Sequence, residues 1–340
     1  MPNTIKDIAK KAGVSHTTVS RALHGSSLIS PETAERIRHV AIELDYKPSA
    51  AARSLRTNRT TVLGVIVNNI ADPFFSEILY GIEETAQAAG YSLFIAASQH
   101  DPNRERQIVQ TMMEQRTDGV IICSSSFSAE QGNQLLSYGF PIVVVNHQSA
   151  EHFNYSIYHD DVDGSRQITR HLIQLGHRRI AYLGNSRSGR TTLDRLSGYR
   201  TEMEIANMPI LDGYIVHVPG GEPQLGFDIV QTFLHLDSPP TAIVCFNDML
   251  AIGALKGCIA SGLRVPQDMS ITGFDNITYS AFTCPSLTTF DQPKRSIGKE
   301  AAQLLLDLLA RDRSELTEPP RIKVLKGSLL ERESSSTPNH

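Results

Sequence analysis

The sequence predicts a small all-α head followed by an α/β core built on two parallel sheets. Three observations predict this. Residues Thr4–His24, TIKDIAKKAGVSHTTVSRALH, read as two short helices joined by a tight turn. From Thr61 onward, apolar strand-length runs alternate with helical stretches of about 10–15 residues, the signature of βαβ units. Charge is also divided: residues 1–60 hold ten Lys/Arg against five Asp/Glu, a net +5, and the remainder carries −9 within a total of −4 over 340 residues. A basic head on an acidic body places a phosphate-binding surface at one end of the chain.

In the head, Thr4 caps the first helix, and Asp7, three residues on, reaches back to the cap amide. Ile5, Ile8, Ala9 and Ala12 form one apolar stripe. Gly13 tolerates positive φ and ends the helix. Ser15 caps the second helix. Val19, Ala22 and Leu23 give that helix its buried side, and His16, Thr17, Ser20 and Arg21 lie on the other face. Short polar residues plus an arginine on a narrow helix suit a DNA major groove. The alternative is a helical hairpin that only packs. Ser30 caps a third helix with Pro31 at its first position, and Ala34, Ile37, Ala41 and Leu44 close a three-helix core. Tyr46-Lys47-Pro48 ends it. Ser49–Arg56 is then a short helical stretch with almost no apolar face. A helix that short is marginal alone, so the stretch is either a flexible linker or a helix formed only against a partner. In the second case Leu55, between Arg53 and Arg56, is a wedge for a minor-groove base step.

The core begins with strand VLGVIV (62–67) and a helix from about Phe75 to Ala89, ended by Gly90. Next come strand SLFIAA (92–97), helix 103–115, strand GVIIC (119–123), helix 129–138 and strand PIVVV (141–145). The alternation resumes with a helix at about 161–175 and strand RIAYLG (179–184). Helix 192–206, strand YIVHV (214–218) and helix 224–236 follow. Strand AIVCF (242–246), helix 248–260 and strand SITGF (270–274) complete the run. So many right-handed βαβ units suit two sheets better than one, and the polar section Tyr158–Asp163 is a natural crossover between them. LTTFDQP (287–293) precedes a long amphipathic helix to about Ala310. RIKVLKGSL (321–329) reads as one last strand region, and the tail ESSSTPNH as disordered.

Composition excludes several classes. At 40% hydrophobic and 20% charged residues, the chain reads as soluble and globular. It has no run of about 18 apolar residues to span a membrane and no apolar signal core at its start. A cytoplasmic location follows. Cys123, Cys245, Cys258 and Cys284 share no metal-ligand spacing, and Cys123 and Cys245 sit inside apolar runs as packing groups. DDVDG (160–164) lacks the glutamate and spacing of a calcium loop and reads as a crossover and helix cap. GNSRSGR (184–190) is neither a phosphate loop nor a dinucleotide fingerprint. The twelve histidines form no HExxH. No catalytic set, metal site or cofactor is expected, which leaves little support for an enzyme fused to a DNA-binding head.

TIKDIAKKAGVSHTTVSRALHG, ELDYKPSAAARSLRTNRT, GVIV, GHRRIAYLG, RLSGYR, FNDMLAIGAL, GLRVPQDMSITGFDN and PSLTTFDQP occur in this order. Together they resemble the lactose-repressor family of bacterial transcription regulators, over roughly residues 2–334. The resemblance implies a helix-turn-helix DNA-binding head over 1–48 and a hinge helix and linker over 49–60. It implies a two-lobed core over 61–334, similar to periplasmic sugar-binding proteins, and leaves 335–340 as the disordered tail. Lobe one would hold about 62–161 and 292–322, and lobe two about 162–291 and 323–334.

On the head, the resemblance puts His16, Thr17 and Arg21 on base edges. It puts Ser15, Thr18, Ser20, Ser30 and Tyr46 on phosphates, Ala52 at the hinge-to-hinge contact and Leu55 at the centre of the operator. Arginine can bond two guanine acceptors, worth about 1–3 kcal/mol of discrimination. Thr17 is shorter than the amide side chain some relatives carry there. Around a cleft between the lobes the resemblance puts Phe74, Phe75, Asn146, Thr191, Arg195, Asn247 and Asp275. Their fixed donors and acceptors suit a sugar, sugar phosphate or nucleoside. The other reading of FNDML and GFDN is that Asn247 and Asp275 only satisfy backbone amides in a cap and a turn. Where some relatives stack an aromatic on the effector, this chain has Gly221, which disfavours a planar base and leaves the sugar face to Phe74. The expected protein is a homodimeric, nucleoid-associated repressor of pseudo-palindromic operators, and no heptad after residue 330 supports a tetramer. The alternative is a regulator of the same fold gated by a protein partner.

Overall fold

The structure, a computed structural model, describes residues 3–46, 59–123, 140–146, 155–310 and 321–339. The predicted helix 129–138 and the predicted hinge, with Ala52 and Leu55, lie outside the described residues. The chain divides into two units, Met1–Thr60 and Thr61–His340.

The first unit holds α1 (Ile5–Ala12), α2 (His16–Leu23) and α3 (Pro31–Glu43). Local chemistry sets their ends. The Asp7 carboxylate accepts from the Thr4 amide at 2.8 Å and the Thr4 hydroxyl at 2.7 Å. Gly13 ends α1 at φ 67°. Ser15 Oγ accepts from the Thr18 amide and Ser30 Oγ from the Thr33 amide, capping α2 and α3. Ile8, Val19 and Ile37 are fully buried at the centre of the three-helix core.

The second unit alternates strand and helix. The first sheet is built from β1 (Val62–Val67), β2 (Ser92–Ala97), β3 (Gly119–Cys123), β4 (Ile142–Val145) and β5 (Tyr155–His159), with α4 (Pro73–Ala88) and α5 (Pro102–Glu114) between its early strands. Next come α6 (Asp161–Gln174), β6 (Ile180–Asn185), α7 (Gly189–Ile205), β7 (Ile215–Val218), α8 (Pro223–Leu234), β8 (Ala242–Cys245), α9 (Asp248–Ala260), β9 (Ser270–Asp275) and β10 (Thr288–Asp291). Last are α10 (Lys294–Ala310), β11 (Arg321–Leu325) and β12 (Ser328–Leu330). One sheet has the order β11-β5-β4-β3-β1-β2 and the other β12-β10-β9-β8-β6-β7. The described pairings are parallel except β10 with β12. The chain therefore passes between lobes three times, at His159–Asp161, Asp291–Lys294 and Leu325–Ser328. α10 returns to pack on α4, sharing one core with Ile78 and Ile82. Their backbones touch at Gly81 and Gly298, where an added Cβ would collide with the carbonyl of Arg295 or of Ile78.

Three expectations are corrected. The last strand region is two strands: residues 323–325 pair with β5 in the first lobe, and the lobe boundary falls at Lys326-Gly327. Sequence reasoning also passes over β5. Its YSIYH run looks like polar loop, but pairing with β4 and β11 buries Ser156 and His159 with the rest. The tail is bound in place. Ser335 Oγ lies 3.0 Å from His171 Nε2 and 2.8 Å from Thr288 Oγ1. The Ser336 amide donates to Ser270 Oγ at 3.1 Å. A serine run reads as disorder by composition, but these serines meet polar groups of the second lobe and satisfy them.

Cys123 and Cys245 are buried free thiols, as their apolar runs predict, Cys258 is buried too, and burial pushes the Cys123 thiol up to about 12. Among the described residues no helix is long and apolar enough to cross a membrane, and no cluster of metal-ligating side chains occurs.

Candidate functional site

Two surfaces carry the predicted residues. On the head, α2 buries Val19 and Ala22 and leaves His16, Thr17 and Arg21 exposed along its outer face. Of the predicted phosphate ligands, Ser15 and Thr18 meet at the start of α2, with their hydroxyls 2.9 Å apart. Ser20 is half-buried, and its carbonyl lies 2.6 Å from His24 Nδ1. Ser30 is exposed at the start of α3, and Tyr46 is half-buried against the head core. The head thus presents an exposed helix face with two cap hydroxyls beside it, the arrangement a groove-reading helix requires.

The second surface is a cleft of about 490 Å³ in the second unit. Phe74, Phe75, Asn146, Thr191, Arg195, Asn247 and Asp275 all line it. Fold position explains the convergence. Asn146 follows β4, Asn247 follows β8 and Asp275 ends β9, so each sits at a strand's carboxyl end. In both sheets the strand order reverses there, between β1 and β3 and between β6 and β8. Open α/β sheets leave a crevice at such points. Phe74 and Phe75 start α4, and their rings meet edge to face with centroids 5.1 Å apart.

Arg195 organises the floor. Its Nε donates to Asp161 Oδ1 at 2.7 Å, Nη1 donates to the Phe246 carbonyl, and Nη2 lies 3.5 Å from Asp275 Oδ1. The guanidinium carbon stands 3.7 Å from the Phe274 ring centre and 4.5 Å from that of Phe246. Burial opposes the charge of Arg195, but Asp161 and Asp275 outweigh it and hold its pKa above the usual range. Burial alone would raise Asp161, yet His159 and Arg195 hold it down at about 2. Asp275 also accepts from Gln292 Nε2 at 2.5 Å. Burial pushes the Asp275 carboxyl well above the ordinary range despite the pull of Arg195.

Several cleft residues are not anticipated by the sequence. Asp72, His100, Asn185 and Glu222 line it too. Asp72 caps α4 and is raised by burial. Asn185 escapes because the apolar run that marks β6 stops one residue before it. Its Oδ1 accepts from the Arg187 amide, and its Nδ2 donates to Ser188 Oγ. Asp161 belongs to a segment that reads as a cap and crossover. Asp160 is that cap, and Asp161 is the partner of Arg195. Asn146 Oδ1 and His100 Nδ1 are buried without a hydrogen-bond partner among the described residues. Asn146 (φ 53°) and Asp275 (φ 115°) hold positive φ, which side-chain-bearing residues adopt at a cost.

Gly221 bears directly on Asn247. The Asn247 Oδ1 accepts from the Leu250 amide and caps α9, and its Nδ2 donates to the Gly221 carbonyl at 3.3 Å. A Cβ at position 221 would stand 2.7 Å from that Nδ2. The cap reading of Asn247 is therefore correct, and it coexists with a place on the cleft wall. Asp275 accepts from side chains, so it is not merely a backbone cap.

Residues 4–49 match the family described as bacterial regulatory proteins, lacI family, and residues 169–335 match a periplasmic binding protein-like domain. The chain is 35% identical over 312 residues to the HTH-type transcriptional repressor PurR of Actinobacillus pleuropneumoniae serotype 3 (strain JL03), covering 92% of this chain and 93% of the relative. The structure is similar to that of the lac repressor dimer bound to operator and the anti-inducer ONPF, with a TM-score of 0.87, 27% identity and coverage of 99% and 100%. It is also similar to the complex of the transcriptional regulator CelR with cellobiose, with a TM-score of 0.72, 27% identity and coverage of 98% and 100%.

Proposed function

The chain belongs to the lacI family of bacterial regulatory proteins, and on that premise we propose that it is a homodimeric repressor whose cleft takes a hydroxyl-rich effector of sugar or nucleoside size. It is a DNA-binding transcriptional regulator with an effector-gated core. The finer assignments are our own. His16, Thr17 and Arg21 read base edges, and Ser15, Thr18, Ser20, Ser30 and Tyr46 hold phosphates, which set register without carrying sequence information. Ala52 and Leu55 act at the paired hinge in the minor groove. Two heads on a two-fold dimer require a pseudo-palindromic operator.

The single observation that carries the effector reading is the convergence of seven predicted residues on one cleft, where Asn146 Oδ1 and His100 Nδ1 have no partner among the described residues. A site built on such buried polar groups rejects an analogue that lacks the matching hydroxyl. Effector binding acts through its different affinity for the two arrangements of the lobes.

The test is a thermal-shift screen of the full chain with cellobiose, ribose, nucleosides and free purine bases, followed by operator binding with each hit. A ligand that binds only the folded state, at a hundred times its dissociation constant, adds about 2.7 kcal/mol. A hit that stabilises the protein and changes operator affinity supports the reading. Stabilisation by planar bases without a sugar would overturn the hydroxyl-based assignment.

A further inference from the structure

Lys294 stands outside the effector contacts described above, yet only 2% of it is exposed. It is the first residue of α10, just after the second passage between the lobes. Its ammonium donates to the carbonyls of Asp275 and Asn276 in the second lobe, and to that of Gln292 at 3.4 Å. Asp291 Oδ1 lies 3.5 Å away, and Glu77 Oε1, on α4 of the first lobe, 3.8 Å away.

The two carbonyls that Lys294 takes from the second lobe belong to a strained corner. Asp275 has φ 115° and Asn276 φ 49°. Non-glycine residues in such regions persist only where their surroundings hold them. The same corner carries the Asp275 carboxyl into the cleft, where Gln292, two residues before Lys294, donates to it. One turn, Gln292–Lys294, therefore grips both the backbone and the side chain of Asp275 from the crossover.

We infer that Lys294 is a positioning residue for the effector response: it fastens the Asp275–Asn276 corner of the second lobe to α4 and α10 of the first, so that the corner and the angle between the lobes move as one. An ammonium suits this task, because it offers three donors and the corner offers adjacent carbonyls. An effector that draws on Asp275 pulls through Lys294 on the first lobe. That last consequence rests on Asp275 as an effector ligand; the fastening itself does not.

The test measures the distance between lobes in the full chain. Spin labels are placed at Arg106→Cys and Lys256→Cys in a Cys284→Ser background, and labelled chains are diluted with unlabelled ones to suppress distances between subunits. Lys294→Met keeps the length of the side chain and removes the donors. The distance distribution should broaden about twofold, at a temperature where circular dichroism shows both proteins folded. A merely structural lysine would lower the melting temperature and leave the distribution narrow, and that result overturns the inference. Should Lys294→Met fail to fold, the variant Glu77→Gln alters only the half-exposed partner of Lys294 on α4. It should broaden the distribution by a smaller factor, and an unchanged distribution is again fatal. If the wild-type protein gives no response to cellobiose, ribose or nucleosides while Lys294→Met still broadens the distribution, the effector reading fails and the fastening stands.

Discussion

Arg195 and Asp161 form a buried ion pair, with Nε 2.7 Å from Oδ1 and side chains only 5% and 3% exposed. Asp161 begins the second lobe directly after the crossover from β5, and Arg195 lies on α7, so the pair ties the cleft floor to the first passage between lobes. His159 at the same crossover lies 3.2 Å from Asp161 and stacks obliquely on Phe274 and Phe290. The cleft arginine is thus held at the first passage between the lobes.

Arg195→Ala should be strongly destabilising. It removes the guanidinium that pairs with buried Asp161 and faces Asp275. Breaking a buried pair by removing one partner costs about 3–5 kcal/mol. Urea unfolding of the core at neutral pH measures this, and a loss below about 1 kcal/mol would mean that water or another group replaces the guanidinium. Arg264→Ala is the contrast. Its side chain is 69% exposed and that of its partner Asp268 28% exposed, so little measurable loss is expected.

Arg21→Ala should relax operator selectivity at one base pair in each half-site. The arginine is exposed in the last turn of α2, with no interaction among the described residues to divert it. Loss of a bidentate contact with guanine costs about 1–3 kcal/mol against the cognate base and nothing against a base that cannot pair with it. Fluorescence anisotropy with a set of single-base operator variants reads the difference. Equal weakening on every variant would assign Arg21 to phosphates instead.

The legible parts of this molecule are those set by local rules. Asp7, Gly13, Ser15, Ser30 and Pro31 act as cap, stop and start signals, and the structure uses each where the sequence predicts it. Apolar runs locate nearly every strand because parallel strands are buried on both faces. β5 escapes because Ser156 and His159 are polar, and they are buried by pairing with β4 and with β11, a strand more than 160 residues away. The tail escapes for the same reason, since Ser335 and Ser336 find partners at His171 and Ser270. In the cleft, the resemblance names the residues, and the strand-end positions of Asn146, Asn247 and Asp275 agree with it. Asp161 and Lys294 cannot be placed, because their partners, Arg195 and the Asp275–Asn276 carbonyls, are distant in sequence.

Asp248 gives a pH dependence of unusual sign. Burial raises its carboxyl to about 7, while the Thr289 hydroxyl and the Ile277 amide donate to it at 2.5 and 2.8 Å. The native state therefore keeps a proton there that the unfolded chain has released above its ordinary value of 3.8. Stability from this group is greatest below that value, falls as pH rises toward about 7 and is level beyond it. Asp161 acts the other way: its stabilisation is present above the ordinary carboxylate value and is lost as pH falls through about 2. Asp248→Asn can accept from Ile277 and donate to Thr289 without a charge. It should raise stability at pH 8 by a few kcal/mol, because each tenfold difference in proton affinity between the folded and unfolded chain is worth about 1.4 kcal/mol. It should also flatten the slope between about 4 and 7. An unchanged slope in denaturant titrations across that range would place the pH dependence elsewhere.

Gly221 and Asn247 should behave as one unit. A methyl at 221 would meet Asn247 Nδ2 at 2.7 Å, so Gly221→Ala must turn the amide away from the Gly221 carbonyl and weaken its cap on Leu250. Loss of an N-cap costs about 0.5–2 kcal/mol. Asn247→Ala removes the same cap directly, and the double variant should then cost no more than Asn247→Ala alone. The coupling in that double-mutant cycle, read by urea denaturation, should lie near the cap energy, whereas independent sites add within about 0.3–0.5 kcal/mol. Strict additivity would mean that the cleft wall gives way around residue 221 and leaves Asn247 in place, which would also reopen the cleft to an aromatic residue at that position.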